Sequence, residues 1–268
     1  MAGSRPSGGY RLLDLLDPVG PEPLPGQFYM LAAETGWGAD AGRPFLPRAI
    51  SVAEASGEGD AVRLAFLLSD AGPGTARLCA MRPGEMVALT GPLGRPFSAP
   101  GELNPGCAGA ILVGGGIGIA PLALLRRRLS ERGSAVRTLL GFRDRAHSGG
   151  VEELFGCSEV RLASEDGHAG HRGYVTDLLS VLLAGDDAAT AAIYACGPAA
   201  MLDAVREMCG DRGTPCELAL EAPMACGFGA CFGCAVPLRE GGYLRLCVDG
   251  PVVRGDRIAS ASPQGAPG

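Results

Sequence analysis

The chain has 268 residues, a net charge of −6 and 47% hydrophobic residues, enough to bury a core in one to three domains. This charge gives no basic surface for nucleic acid, and no apolar run reaches the roughly 18 residues of a membrane-spanning helix. All 23 basic residues are arginine, which excludes a Schiff-base lysine and the lysine of an ordinary P-loop. Anions must therefore be bound by arginine, backbone N–H groups or helix N-termini.

The N-terminal part, taken as residues 1–104, alternates short apolar runs with proline and glycine turns, as expected of an antiparallel barrel or sandwich. The predicted strands are Tyr10–Leu16, Gln27–Ala32, Ala61–Leu68 and Met86–Thr90. Between them, Arg48-Ala49-Ile50-Ser51 indicates a strand edge. This edge is either an ordinary exposed strand or a site where an arginine meets a pyrophosphate and a serine bonds a ring edge. Gly74 and Thr75 lie in a loop that enters a helix, and Gly91-Pro92-Leu93-Gly94 predicts a turn.

From residue 105 to 215, strands and helices alternate, which predicts a parallel α/β sheet. The expected strands are Gly109–Val113, Val136–Phe142, Ala191–Cys196 and Cys216–Leu220, and the expected helices are Pro121–Arg132, Thr176–Leu183 and Ala199–Cys209. The first strand runs into Gly114-Gly115-Gly116-Ile117-Gly118, and a later strand ends in Cys196-Gly197-Pro198. A tight turn alone explains either motif. Two such turns at the carboxyl ends of one sheet indicate a nucleotide site.

Four cysteines near the C-terminus have the spacing of plant-type [2Fe–2S] sites. Cys226, Cys231 and Cys234 form a C-x4-C-x2-C motif, and Cys247 follows it. A zinc site of four thiolates and a chance grouping of structural thiols are the alternatives. The other six cysteines are scattered, and no secretory signal is evident at the start. These features favour a reducing compartment, and we expect a cytoplasmic protein.

The motifs together resemble those of a known family. Pro25-Gly26-Gln27-Phe28, Arg48-x-x-Ser51, Gly74-Thr75, Gly91-Pro92-Leu93-Gly94, Gly114-Gly115-Gly116-Ile117-Gly118 and Cys196-Gly197-Pro198 stand in the order seen in the ferredoxin–NADP reductase superfamily. The stretch from Glu221 to Cys234, closed by Cys247-x-Asp249-Gly250-Pro251, resembles the electron transfer subunits of NAD-dependent, type B dihydroorotate dehydrogenases. The resemblance covers roughly residues 10–258.

The resemblance implies three domains: an antiparallel flavin-binding barrel (1–104), an α/β NAD-binding domain (105–215) and a small [2Fe–2S] domain with a short disordered tail (216–268). The implied FAD contacts are Arg48, Ala49, Ile50, Ser51, Leu67, Leu68, Ser69, Gly74 and Thr75. The implied cluster ligands are Cys226, Cys231, Cys234 and Cys247. The nucleotide contacts predicted from the two glycine turns are Gly114, Gly115, Gly116, Gly118, Gly197 and Pro198. The family usually has proline where Ala49 stands.

The resemblance also implies a partner and a reaction. A separate FMN-containing catalytic subunit, in a heterotetramer of two plus two, oxidises dihydroorotate for pyrimidine biosynthesis. Its electrons pass through the cluster and FAD to NAD⁺. The alternative is an NAD(P)H-oxidising subunit of another reductase or hydrogenase complex. A protein with structural zinc and a vestigial nucleotide domain is a further possibility.

Several residue roles stay open at this level. Cys196 is either a small buried residue or a neighbour of the nicotinamide, and Glu221 is a candidate for closing the nicotinamide pocket. Arg143 and Arg145 either meet a 2′-phosphate, which would favour NADP, or are solvated. Phe228 and Phe232 either pack on the chain's own core or contact a partner.

Overall fold

Two β-sheets contain most of the chain in this computed structural model, which describes residues 3–38, 44–156, 160–185 and 190–262. The first sheet has six strands in the order β1-β2-β5-β4-β3-β6, all antiparallel. Its elements are β1 (Gly3–Ser7), β2 (Tyr10–Asp17), β3 (Phe28–Ala33), β4 (Arg48–Glu58), β5 (Ala61–Leu68), helix α1 (Pro73–Cys79) and β6 (Val87–Leu93). This sheet forms the predicted antiparallel domain.

Strand β2 shows why the two faces of the first sheet differ. Side chains alternate across a strand, so residues two apart share a face. Leu13 and Leu15 lie in the core of the first sheet. Tyr10 and Leu12 point the other way, into a second core. This core is built largely from the α/β domain predicted for residues 105–215, which we call the nucleotide-type domain. The first sheet therefore packs directly on its neighbour.

The second sheet has seven strands in the order β10-β9-β8-β7-β11-β12-β15, parallel except for the last pair. Its elements, with the helices before and between them, are α2 (Pro100–Leu103), β7 (Gly109–Gly115), α3 (Ile119–Glu131), β8 (Ala135–Phe142), α4 (Val151–Phe155), β9 (Val160–Ser164), β10 (His171–Arg172), α5 (Val175–Leu183), β11 (Ala191–Cys196), α6 (Ala199–Arg212), β12 (Cys216–Ala219) and β15 (Val252–Arg254). The chain moves outward from β7 to β8 and later returns to place β11 on the other side of β7. This reversal is a topological switch point, where open α/β sheets bind ligands.

The cysteine-containing segment connects β12 to β15 and includes a small hairpin, β13 (Ala235–Pro237) with β14 (Tyr243–Arg245). Because β12 pairs with both β11 and β15, the segment leaves and re-enters the same sheet. Strand β12 is the first element of the predicted third domain (216–268), but it is a strand of the second sheet. The exact residue boundaries of the three domains stay a prediction.

Two local predictions are wrong. Gly91, Pro92 and Leu93 continue strand β6 instead of forming a turn, because Leu93 still pairs with Phe28 across a register shift. The sequence also predicts a frayed tail from Ala259, but hydrogen bonds hold residues 260 and 261 in place. Asp203 accepts hydrogen bonds from the Ser260 hydroxyl (2.8 Å) and the Ala261 N–H (2.7 Å). The predicted disorder of residues 263–268 lies outside the described residues. No helix within the described ranges is both long and apolar enough to cross a membrane.

Candidate functional site

The two glycine turns meet at the switch point between β7 and β11. A Cβ placed on Gly118 would lie 2.6 Å from the Gly197 Cα, a distance that real Cβ atoms do not reach. A Cβ on Gly197 would in turn lie 3.0 Å from the Gly115 nitrogen. The absence of side chains therefore lets the two strand ends close on each other. Gly114 has a different place, since its Cβ position faces Leu140 in the core.

A first cavity of about 290 Å³ opens between the first sheet and these turns. Ten residues of the sequence-predicted site line it: Ala49, Ile50, Ser51, Leu67, Leu68, Ser69, Thr75, Gly118, Cys196 and Glu221. Most of these side chains are apolar or hydroxyl-bearing, which suits a planar ring with a polar edge. The structure thus brings together residues predicted separately from the barrel, the nucleotide-type sheet and the cysteine segment.

Arg48 and Gly74 lie next to each other beside this cavity but do not line it. A Cβ on Gly74 would overlap the Arg48 guanidinium, so glycine leaves room for the arginine. The guanidinium lies 5.7 Å from the centre of the Trp37 ring, and its Nη1 donates to the Leu46 carbonyl oxygen at 2.5 Å. Within the described part of the chain Arg48 has no carboxylate partner, which leaves its charge available to an anion.

Cys196 and Glu221 both line the first cavity, and they are close enough to interact electrostatically. Burial raises the pKa of the Cys196 thiol well above its ordinary value, and the nearby Glu221 carboxylate raises it further. Burial also raises the pKa of Glu221, although this residue is open to solvent on its cavity side. A neutral thiol is therefore favoured at Cys196, and the surrounding protein partly desolvates the Glu221 carboxyl group.

A second, larger cavity of about 600 Å³ lies on the other side of the turns. Three predicted nucleotide contacts line it: Gly115, Gly116 and Pro198. Arg143, His147 and Glu165 line the same cavity at the ends of β8 and β9. It is mainly apolar near Phe142 and Met201 with a few polar groups, as expected of a cofactor site.

The four predicted cluster cysteines lie together in two pairs. Cys234 Sγ is 3.3 Å from Cys247 Sγ, and the Cys226 and Cys231 side chains are hydrogen-bonded to each other. Cys234 and Cys247 are buried, whereas Cys231 is exposed. A [2Fe–2S] cluster is held by four thiolates shared between two irons, so this pairing fits it.

The backbone around Cys226 favours a thiolate. The Cys231 and Phe228 N–H groups donate to its sulfur and lower its pKa to about 6. Gly227 (φ 79°) and Gly229 (φ 87°) supply the left-handed backbone that this tight curl needs. The loop is also packed on the first sheet, because a Cβ on Gly227 would lie 2.6 Å from Met30 Cγ.

Within residues 3–38, 44–156, 160–185 and 190–262, no three His, Cys, Asp or Glu side chains are grouped so as to hold one metal ion. What favours a [2Fe–2S] cluster over a zinc ion of four thiolates is the spacing of the cysteines together with their two close pairs.

The sequence analysis missed several residues of these cavities. Met224 lines the first cavity two positions before Cys226, and Tyr10 and His147 line the second. A methionine before the cysteine motif was visible in the sequence, but Tyr10 belongs to the first sheet and gave no local signal. Arg143 is engaged rather than merely solvated: its Nη2 lies 3.0 Å from His147 Nε2, and its Nε lies 3.4 Å from Asp144 Oδ2.

Comparison with known proteins agrees with this geometry. A family model described as the iron–sulfur cluster binding domain of dihydroorotate dehydrogenase B matches residues 221–259. The structure resembles an NADH-dependent reduced ferredoxin–NADP oxidoreductase, with a TM-score of 0.78, 27% identity, and coverage of 94% of this chain and 86% of that one. It also shares its fold with phthalate dioxygenase reductase, with a TM-score of 0.60, 20% identity, and coverage of 97% and 94%. These neighbours confirm the predicted fold class.

The comparison with sequence relatives identifies the family more specifically than the comparison of folds does. The chain is 42% identical over 189 residues, 70% of each chain, to the electron transfer subunit of dihydroorotate dehydrogenase B (NAD⁺) from Bacillus caldolyticus. It is 34% identical over 242 residues to the corresponding subunit from Caldanaerobacter subterraneus subsp. tengcongensis, covering 89% of this chain and 88% of the relative. The chain therefore belongs to the family of dihydroorotate dehydrogenase B (NAD⁺) electron transfer subunits.

Proposed function

We propose that this chain takes electrons from a separate dihydroorotate-oxidising subunit and delivers them to NAD⁺, using a [2Fe–2S] cluster and FAD. The observation that supports this most directly is the meeting of three parts at one point. Gly118, Cys196 and Glu221 line the first cavity, the neighbouring Gly115, Gly116 and Pro198 line the second, and the cysteine loop begins shortly after Glu221. An electron carrier needs such short separations between its centres.

FAD fits the first cavity and its rim. When bound, a flavin exchanges hydride with a nicotinamide and single electrons with an iron–sulfur cluster. Arg48 binds the pyrophosphate through a charge that no described carboxylate neutralises, and the N-terminus of α1 at Gly74 and Thr75 supports it. Ser51 is placed to bond a polar ring edge, and Leu67 and Leu68 form an apolar wall.

NAD⁺ fits the second cavity. Gly115 and Gly116 let the pyrophosphate approach the backbone ahead of helix α3, whose positive end favours anions. Cys196 and Glu221 border the place where the nicotinamide enters from the second cavity into the first. Because burial raises the pKa of Cys196, the thiol stays neutral and acts there by its shape rather than by charge.

The cluster loop presents a face suited to a protein partner. Phe228 is 67% exposed and Phe232 is 61% exposed, so neither packs on the chain's own core. Phe232 is held in the left-handed region (φ 58°), with Arg245 5.0 Å from its ring centre. Exposed aromatic side chains are enriched in protein interfaces. We place the FMN-containing catalytic subunit here, in a two-plus-two heterotetramer, and expect this assembly to be cytoplasmic.

The test compares the activity of the purified chain alone with its activity after the catalytic subunit is added. The purified chain should absorb as a flavin and iron–sulfur protein and oxidise NADH with an artificial acceptor such as ferricyanide. It should form no NADH from dihydroorotate and NAD⁺ until the catalytic subunit is added. NADH formation by the isolated chain would contradict the division of labour. Activity with artificial acceptors but no coupling to the catalytic subunit would instead favour the alternative, a different reductase or hydrogenase complex.

A further inference from the structure

We infer that Tyr10, from the first sheet, completes the dinucleotide site by donating a hydrogen bond to the pyrophosphate over the Gly115–Gly116 turn. This inference rests on the proposed function, since it takes the second cavity to be the NAD⁺ site. It adds a contact from outside the nucleotide-type domain, which makes the site interdomain.

The position of the Tyr10 side chain supports this role. Tyr10 is only 6% exposed, yet it lines the second cavity together with Gly115 and Gly116. Its hydroxyl oxygen lies 3.8 Å from the Cβ position of Gly116, and no other atom from outside the turn's own backbone neighbours comes within 4 Å of that position. The hydroxyl therefore stands beside the part of the turn that has no side chain and is open to a ligand.

None of the described residues exchanges a hydrogen bond with the Tyr10 hydroxyl, and the Tyr10 side chain lines the second cavity. Burial and the nearby Asp144 carboxylate raise the pKa of Tyr10, so the hydroxyl keeps its proton and can donate. A donor that faces a cavity and has no protein partner can bond an acceptor on a bound ligand in place of water.

The β1–β2 hairpin holds Tyr10 in place against the nucleotide-type domain. The Gly9 N–H donates to the Ala146 carbonyl oxygen at 2.7 Å, and the Gly150 N–H donates to the Ser7 hydroxyl oxygen at 2.7 Å. The Tyr10 ring packs edge-on against His147, with centroids 6.2 Å apart and planes at 78°. These contacts fix the ring before ligand binds, which lowers the entropic cost of the new hydrogen bond.

Other polar groups of the cavity are less suited to this role. His147 Nε2 must accept from Arg143, which only donates, so His147 Nδ1 bears a hydrogen and donates to Asp144 Oδ1 at 2.6 Å. Both nitrogens of His147 are thereby used. Glu165 is acidic and repels phosphate. Arg143, Tyr174 and Thr176 also line the cavity, but of these cavity-lining groups only the Tyr10 hydroxyl comes within 4 Å of the Cβ position of Gly116.

The test compares two Tyr→Phe variants of the FAD-loaded protein by calorimetric titration with ADP-ribose and with adenosine. Tyr10→Phe removes one hydroxyl and should weaken ADP-ribose binding by roughly 10- to 150-fold, the range for a hydrogen bond to a charged group. Adenosine lacks phosphates, so its affinity should not change. Tyr29→Phe is the control, because it removes a tyrosine hydroxyl that has no partner among the described residues and lines neither cavity.

The outcomes are distinct. A loss below about threefold for ADP-ribose in Tyr10→Phe, or an equal loss for adenosine, would overturn the inference while leaving the nucleotide site in place. Failure of the unmodified protein to bind ADP-ribose would overturn the proposed nucleotide site, and this inference with it.

Discussion

Replacement of Arg48 by alanine tests the flavin site most directly. Three neighbours surround the guanidinium beside the first cavity. They are the backbone of Gly74, which leaves room for it, the ring of Trp37 at 5.7 Å and the Leu46 carbonyl oxygen. None of these contacts neutralises its charge. Arg48→Ala should therefore reduce FAD affinity far more than it reduces the stability of the fold.

The two effects differ in size. Loss of a hydrogen bond to a charged group costs about 1.5–3 kcal/mol, which corresponds to roughly 10- to 150-fold in the Kd for FAD. Loss of the exposed cation–π contact with Trp37 costs only about 0.5–1 kcal/mol of folding stability. In a chain of this size, that change lowers Tm by about 2–4 °C at most. Arg48→Lys keeps the charge but not the two-pronged geometry, so its Kd should fall between those of the wild type and Arg48→Ala.

The assay is an equilibrium titration of the FAD-free protein, followed by flavin fluorescence. Arg63→Ala serves as the matched control, because Arg63 is exposed on β5 and pairs with Glu58 at 2.7 Å, away from both cavities. A Kd for Arg48→Ala within twofold of the Arg63→Ala value would refute the pyrophosphate role.

Three further predictions follow from the same structure. Cys231→Ser should abolish the iron–sulfur absorbance and lower iron from about two per chain while FAD stays bound; stoichiometric zinc in the anaerobically purified wild type would contradict the cluster. Phe228→Glu should weaken binding of the catalytic subunit at least tenfold in a pull-down titration without changing NADH oxidation by ferricyanide, whereas Val181→Glu, on exposed α5, should change neither. Burial raises the pKa of Glu221, so the folded state binds this proton more tightly than the unfolded state, and stability falls as pH rises through the raised pKa. Glu221→Gln should therefore lose less Tm between about pH 4 and pH 8 than the wild type, and an equal loss would argue against a desolvated carboxyl group.

Local patterns predicted much of this structure. Strands β5 and β11 begin and end where the sequence predicts, because each is a short apolar run between turn residues. The glycine turns also predicted residues that line the two cavities, and the C-x4-C-x2-C motif predicted cysteines whose side chains lie in pairs. Both motifs can be recognised locally. A glycine turn depends on the missing Cβ of a few consecutive residues, and the cysteine motif depends on the spacing that lets neighbouring thiolates bind one cluster.

Other parts of the structure depend on contacts between residues that are far apart in the sequence. Strand β15 has only three residues, Val252–Arg254, and exists because it pairs with β12 after the whole cysteine segment. The full length of β4, Arg48–Glu58, depends on partners on both sides and on a register shift near Val52. Tyr10 reaches the second cavity only because a hairpin docks on residues far along the chain. No local pattern encodes such contacts.

The return of the chain through β15 has a kinetic consequence. The cysteine segment is joined to the sheet at both ends, through β12 and β15, and the Arg95 N–H donates to the Gly250 carbonyl oxygen at 2.5 Å close to its exit. The cluster is therefore mounted rigidly, unlike a redox module on a flexible tether. Internal electron transfer should proceed at a fixed tunnelling distance, and its rate should be insensitive to solvent viscosity.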